Sequence, residues 1–122
     1  MSHSKKRILC LEDDSDTNDL VRLMLEPEGY EVVTAPTVKD ALRLFKKDGF
    51  HLLIVNEKLP DGEGNDFCRE VRKVDRLTPI IVHSAAARKA DIDEAIRAGA
   101  NDYLIKPHGW SKIIEVVGKL VD

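Results

Sequence analysis

The stretch HLLIVNEKLPDG, His51 to Gly62, decides how the chain is read. Leu52, Leu53, Ile54 and Val55 form an unbroken apolar run with β-branched members, and Leu59-Pro60-Asp61-Gly62 turns the chain. An apolar run closed by Pro and Gly predicts a buried strand that ends in a loop. In an open α/β sheet, ligands and chemistry sit just past the carboxyl ends of the strands. That places Asn56 and Glu57 at a candidate site and makes the chemistry of Asn56 the central question.

Outward from this stretch the same alternation recurs. Ile8-Leu9-Cys10-Leu11 predicts a buried first strand, ending in Glu12-Asp13-Asp14. Ser15 is placed to cap a helix in which Leu20, Val21, Leu23, Met24 and Leu25 recur at helical spacing, and Pro27 and Gly29 stop it. Glu31 to Ala35 reads as a second strand. Thr37 caps a helix carrying Val38, Ala41, Leu42, Leu44 and Phe45, with Gly49 at its end. A third helix covers Asn65 to Val74. Pro79 opens a fourth strand that runs to Ser84. Ala90 to Ala98 is a helix closed by Gly99, Ala100 to Ile105 the fifth strand, and Ser111 caps a last helix through Val121. Strand and helix in strict alternation imply a parallel sheet with helices on both faces. Strands apolar throughout suit burial on both sides.

The length of 122 residues suits one domain with a hydrophobic core. A chain 43% hydrophobic and 34% charged is not that of a disordered segment. Its formal net charge of -3 makes it a poor stand-alone nucleic-acid binder, since phosphate neutralisation dominates that affinity. No apolar run approaches a membrane span, and MSHSKKR at the start has no apolar core of a signal peptide. Two cysteines, Cys10 and Cys68, make no disulfide framework, and Cys10 reads as a small core residue. The expectation is a cytoplasmic protein with a polar tail over residues 1–6 and one domain over residues 7–122.

Polar groups that could converge end four of the strands, all but the second. The first gives Glu12 and Asp13, the third Asn56, the fourth Ser84, and the fifth Lys106 followed by Pro107. Two adjacent carboxylates at a buried strand end repel unless a cation or proton intervenes. Oxygen ligands of this kind suit Mg²⁺. A hydroxyl and an ammonium opposite a metal complete a clamp for a phosphoryl group.

These residues carry a resemblance. ILCLEDDSD, LLIVNEKLPDGEG, PIIVHSAAA and AGANDYLIKP together make the chain resemble the receiver domain of two-component response regulators over essentially its whole length. The resemblance implies a flavodoxin-like five-stranded sheet of order 2-1-3-4-5 and a role in phosphorelay signalling, not an enzyme. Matched residue by residue, it implies a metal site from Glu12, Asp13, the backbone carbonyl of Lys58 and residue 56. Ser84 and Lys106 match the phosphate-contacting hydroxyl and ammonium, and Tyr103 the aromatic that reports activation. Lys106-Pro107 matches a cis peptide. The implied partners are proteins, a histidine kinase and an effector domain or downstream target, met through the face of the fourth helix, fifth strand and fifth helix.

Asn56 departs from the family, standing where the phosphorylated aspartate belongs. A carboxylate oxygen attacks phosphorus to form an acyl phosphate; a carboxamide is neutral, its nitrogen lone pair delocalised, and it is a poor nucleophile. No phosphoryl transfer to residue 56 is expected, and Mg²⁺ binding is expected to weaken with the lost charge. Glu57, in a usually apolar position, supplies charge beside Asn56 or faces solvent; solvent is favoured, since Glu is rarely buried. His83, also in a usually apolar position, is either a pH-sensitive neighbour of the site or a hydrogen-bonded structural histidine, and the structural reading is favoured. His108 replaces an aromatic.

The leading reading is therefore a divergent receiver acting without phosphorylation as a protein-interaction module. A second is a conventional receiver into which Asn was introduced at residue 56. A third, remote, is a haloacid-dehalogenase-like phosphatase built on Asp14-Ser15-Asp16, but Asn18 stands where that motif wants Thr or Val. An EF-hand loop starting at Asp14 fails at Asp19 and Leu25. A flavin site fails because Glu12-Asp13-Asp14 repels a phosphate.

Overall fold

The computed structural model describes residues 5–106 and 108–121, the side chains of residues 108 and 109 excepted. Five strands, β1 (Arg7–Leu11), β2 (Glu31–Ala35), β3 (Leu52–Asn56), β4 (Ile80–Ser84) and β5 (Asp102–Ile105), form one parallel sheet in the order 2-1-3-4-5. The helices are α1 (Ser15–Leu25), α2 (Val38–Lys47), α3 (Gly64–Val74), α4 (Lys89–Ala98) and α5 (Ile113–Val121). This is the flavodoxin-like architecture expected. The alternation is interrupted once: Lys58–Leu59 and Gly62–Glu63 pair as a small antiparallel ladder in the loop after β3.

Side chains alternate across each strand, and the core divides accordingly. Leu9, Leu11, Leu53, Val55, Ile80 and Val82 pack with Ala41, Phe67, Val71, Ala95 and Ala98, under α2, α3 and α4. Ile8, Cys10, Leu52, Ile54, Ile81 and Leu104 pack on the other face with Val21, Leu25, Ile113 and Val117, under α1 and α5. Both cysteines are buried and free, and burial pushes each thiol up to about 12; Cys10 is the core residue expected.

Helix starts fix the loops around the strand ends. Asp14, not Ser15, caps α1: its Oδ2 accepts from the Thr17 N–H at 3.1 Å and from Thr17 Oγ1 at 2.6 Å. A carboxylate in that position also faces the positive end of the helix dipole. Thr37 caps α2 as expected, accepting from the Asp40 N–H at 3.1 Å. Asp61 of the Pro-Asp-Gly turn accepts from the N–H groups of Val38 and Lys39 at 2.8 and 3.0 Å. These bonds to the helix start hold its carboxyl below the usual carboxylate range. The turn that closes the opening stretch is thereby tied to α2.

Three helix ends differ from expectation. α2 ends on an extended Asp48, so Gly49 is not a left-handed cap. α3 begins one residue earlier, at Gly64, whose N–H donates to the Glu57 carbonyl at 2.8 Å. Ser111 is not the cap of α5: it lies inside a 3-10 turn, His108–Lys112, that already has helical backbone and leads into Ile113. Gly99 closes α4 with φ 120°, as the sequence implied.

Candidate functional site

The carboxyl ends of β1, β3 and β5 bring together Glu12, Asn56 and Lys106. Glu12 is buried, at 3% exposure. Its Oε1 accepts from Lys106 Nζ at 2.9 Å and its Oε2 from Asn56 Nδ2 at 3.2 Å. Asn56 Nδ2 also donates to the Lys58 carbonyl at 2.9 Å, while Asn56 Oδ1 accepts from Lys106 Nζ at 3.1 Å. The direction of the carboxamide is chemically fixed. A peptide carbonyl only accepts and an ammonium only donates, so nitrogen must face Lys58 and oxygen Lys106. Lys106 gives the buried Glu12 carboxylate the partner that a buried charge requires.

Ser84 and Tyr103 belong to a second group, on the α4 side. Counting alternate residues from the core explains the division: Cys10 and Glu12 share one face of the sheet, Val82 and Ser84 the other. Ser84 Oγ donates to Glu57 Oε2 at 2.5 Å and accepts from the Ala86 N–H at 3.0 Å. The Tyr103 hydroxyl donates to the Ala86 carbonyl at 2.7 Å and lies 3.5 Å from Glu57 Oε2. Burial pushes the Tyr103 phenol up, with the Ser84 hydroxyl opposing and the Glu57 charge adding to the rise. An open cleft of about 410 Å³ lies between the two groups, lined by Asn56, Glu57, Lys58, Ser84, Ala85, Ala86 and Lys106.

Two expectations need correction. Glu57 turns inward to Ser84 because two hydroxyl-bearing strands end beside it and leave it a hydrogen-bond partner. Chain alternation past Asn56 was the signal for this, since it places residue 57 on the face of Ser84. His83 is structural, but its Nε2 is not satisfied among the described residues. It is buried in β4 with its ring edge-on to Trp110, centroids 4.2 Å apart.

The oxygen set of Glu12, Lys58 and Asn56 is of the kind a hard divalent cation takes, but Asn56 and Lys106 already donate to it. Asp13 is exposed and outside both hydrogen-bonded groups. No group of three His, Cys, Asp or Glu side chains is placed to hold a metal among the described residues. The expected cis peptide at Pro107, and the side chain of His108, lie outside the described residues. No described helix is long and apolar enough to cross a membrane.

Comparison with known proteins agrees with the fold. The family model of the response regulator receiver domain matches residues 8–118. An uncharacterized 14.6 kDa protein of Leptolyngbya boryana is 39% identical over 112 residues, 90% of this chain and 86% of its own. A transcriptional regulatory protein of Streptomyces coelicolor is 33% identical over 100 residues, 82% of this chain but 44% of its own. The chain thus spans less than half of that regulator. Among solved structures, a CheY-like receiver domain protein of Methanospirillum hungatei superposes with a TM-score of 0.91 at 31% identity, covering 98% of this chain and 95% of that one. A two-component response regulator of Clostridium difficile superposes with a TM-score of 0.90 at 25% identity, covering 96% of each chain. Response regulator receiver domains, and the regulators of transcription among these relatives, are signalling proteins and not enzymes. With sheet order, strand-end residues and a match over most of its length in agreement, the chain belongs to the response regulator receiver domain family.

Proposed function

We propose that this receiver domain works without phosphorylation at residue 56, as a protein-interaction module whose pocket is held by its own side chains. The observation that carries the reading is the carboxamide of Asn56. Its nitrogen donates to Lys58 and Glu12 and its oxygen accepts from Lys106. Residue 56, the last of β3, offers no carboxylate oxygen to attack phosphorus. Lys106, the cation that suits a phosphoryl group, is instead bonded to Glu12 and Asn56.

A divalent cation would be held by Glu12, Asp13, the Lys58 carbonyl and Asn56 Oδ1, and it would supply positive charge to the pocket. To bind it, the carboxamide must turn over and release Lys58 and Lys106, so the affinity is weak. The partners are a kinase-like or effector protein, met on the face of α4, β5 and α5. Ile96 on α4 and Ile114 on α5 are exposed there at 45% and 40%. The net charge of -3 gives this domain no attraction to nucleic acid.

Incubation with acetyl phosphate and Mg²⁺, read by intact mass, tests the reading. Wild type stays unmodified, and Asn56→Asp gains one phosphoryl mass, about 80 Da. A wild-type adduct mapped to residue 56 refutes the reading. An N56D protein that takes up nothing refutes the assignment of the pocket itself.

A further inference from the structure

Glu57, Ser84, Ala86 and Tyr103 form a circuit of hydrogen bonds that stays open at one end. The Glu57 carboxylate accepts the Ser84 hydroxyl proton, the Ser84 oxygen accepts the Ala86 N–H, and the Ala86 carbonyl accepts the Tyr103 hydroxyl proton. The tyrosine oxygen returns to 3.5 Å from the carboxylate oxygen at which the circuit began. One phenolic proton cannot serve both neighbours, and the 2.7 Å bond to Ala86 takes it. Each link orients the next. With its O–H directed at Glu57, the Ser84 oxygen turns a lone pair to the Ala86 N–H, and Ala86 so held presents its carbonyl to Tyr103. The first link is charge-assisted and the strongest, and Ser84 is buried at 3% exposure, so water does not readily replace its partner.

We propose that Glu57 is a built-in anion that fixes the connection between β4 and α4, together with Tyr103, in one arrangement. A residue of the chain, not an added group, then sets the shape of this side of the domain. The Ser84 proton is already donated, and an outside oxyanion entering the cleft meets the Glu57 charge. The inference deepens the phosphorylation-independent reading and rests on it for its functional meaning.

Amide hydrogen exchange and tyrosine ring resonances, followed by NMR on the whole chain, test it. In Glu57→Ala the Ala86 amide exchanges at least tenfold faster and the Tyr103 ring resonances shift, while amides in β1 and β2 keep wild-type rates. Glu57→Gln, which retains an acceptor without charge, falls between. Unchanged Ala86 and Tyr103 signals in E57A overturn the proposal, and so does loosening of the whole sheet to the same degree, which marks a merely structural residue. Should E57A not fold, Ser84→Ala breaks the same circuit one link on, and wild-type Ala86 and Tyr103 behaviour in S84A is equally fatal. The two readings fail separately. Phosphoryl uptake at residue 56 leaves this outcome intact, and an inert circuit leaves the inertness of Asn56 intact.

Discussion

His83 shows how much a single buried group decides. It is 2% exposed, its ring packs at 63° to that of Trp110, and its Nε2 finds no partner among the described residues. Burial strips hydration from the imidazolium, and the Lys106 ammonium adds repulsion, so its pKa falls from 6.5 to about 4. The folded chain therefore keeps His83 neutral down to about pH 4, while the unfolded chain takes a proton below about 6.5. Between those values the unfolded state binds more protons, so stability rises with pH and is lost on acidification, by about 3 kcal/mol at full extent. His83→Phe retains a ring against Trp110 and cannot titrate. Urea unfolding from pH 7 to 4.5 should show a shallower loss of stability in H83F than in wild type. At pH 7.5 H83F should be no less stable, since the orphaned nitrogen is gone. Equal pH slopes would remove His83 from the account.

At the scale of elements, the start of α3 is pressed against the end of β3. A Cβ on Gly64 would stand 2.1 Å from the Asn56 carbonyl oxygen and 2.7 Å from Val55 Cγ1. The first of these neighbours is backbone, which cannot swing aside. Gly64→Ala should destabilise by about 2 kcal/mol or more, towards the upper range for overpacking, whereas Gly49→Ala enters open space and should change stability by less than about 1 kcal/mol. Thermal unfolding of the two variants side by side checks this, and similar melting points would contradict the close approach. The elements themselves were legible because burial on both faces leaves unbroken apolar runs at Ile8–Leu11, Leu52–Val55 and Ile80–Val82. The ladder of Lys58–Leu59 with Gly62–Glu63 was not, since two-residue strands carry no period. The strand-end residues Glu12, Asn56, Ser84 and Lys106 were legible by position. Their partners were not: alternation gives the face each side chain takes, Glu57 with Ser84 included, but not which groups come within hydrogen-bond reach on that face. The caps failed by one residue at Asp14 because neighbouring Asp and Ser are equally good caps by type, and only backbone geometry chooses between them.

For the molecule as a whole, the question is what a carboxamide at residue 56, compared with a carboxylate, does to ligand-linked stability. A ligand that binds only the folded state stabilises it by RT ln(1 + [L]/Kd), so at ten times its Kd it adds about 1.4 kcal/mol. For a domain of this size that is about 4 °C in Tm. In wild type, Mg²⁺ must break the Asn56 bonds to Lys58 and Glu12 and free Oδ1 from Lys106 before it meets the same oxygens. In Asn56→Asp the amide donors are absent and a second negative charge stands beside Glu12, which Lys106 alone must offset. The carboxylates then repel in the metal-free state and are relieved by a cation. Thermal melts in EDTA and in 10 mM Mg²⁺ should therefore raise the Tm of N56D by several degrees, on the order of 4 °C, and that of wild type by less than half as much. N56D in EDTA should also melt below wild type, because the network has lost the two bonds that Asn56 Nδ2 donates. An equal or larger Mg²⁺ shift in wild type would mean that the carboxamide turns over readily, and that Asn56, Glu12 and Lys106 do not hold the pocket in the single arrangement described.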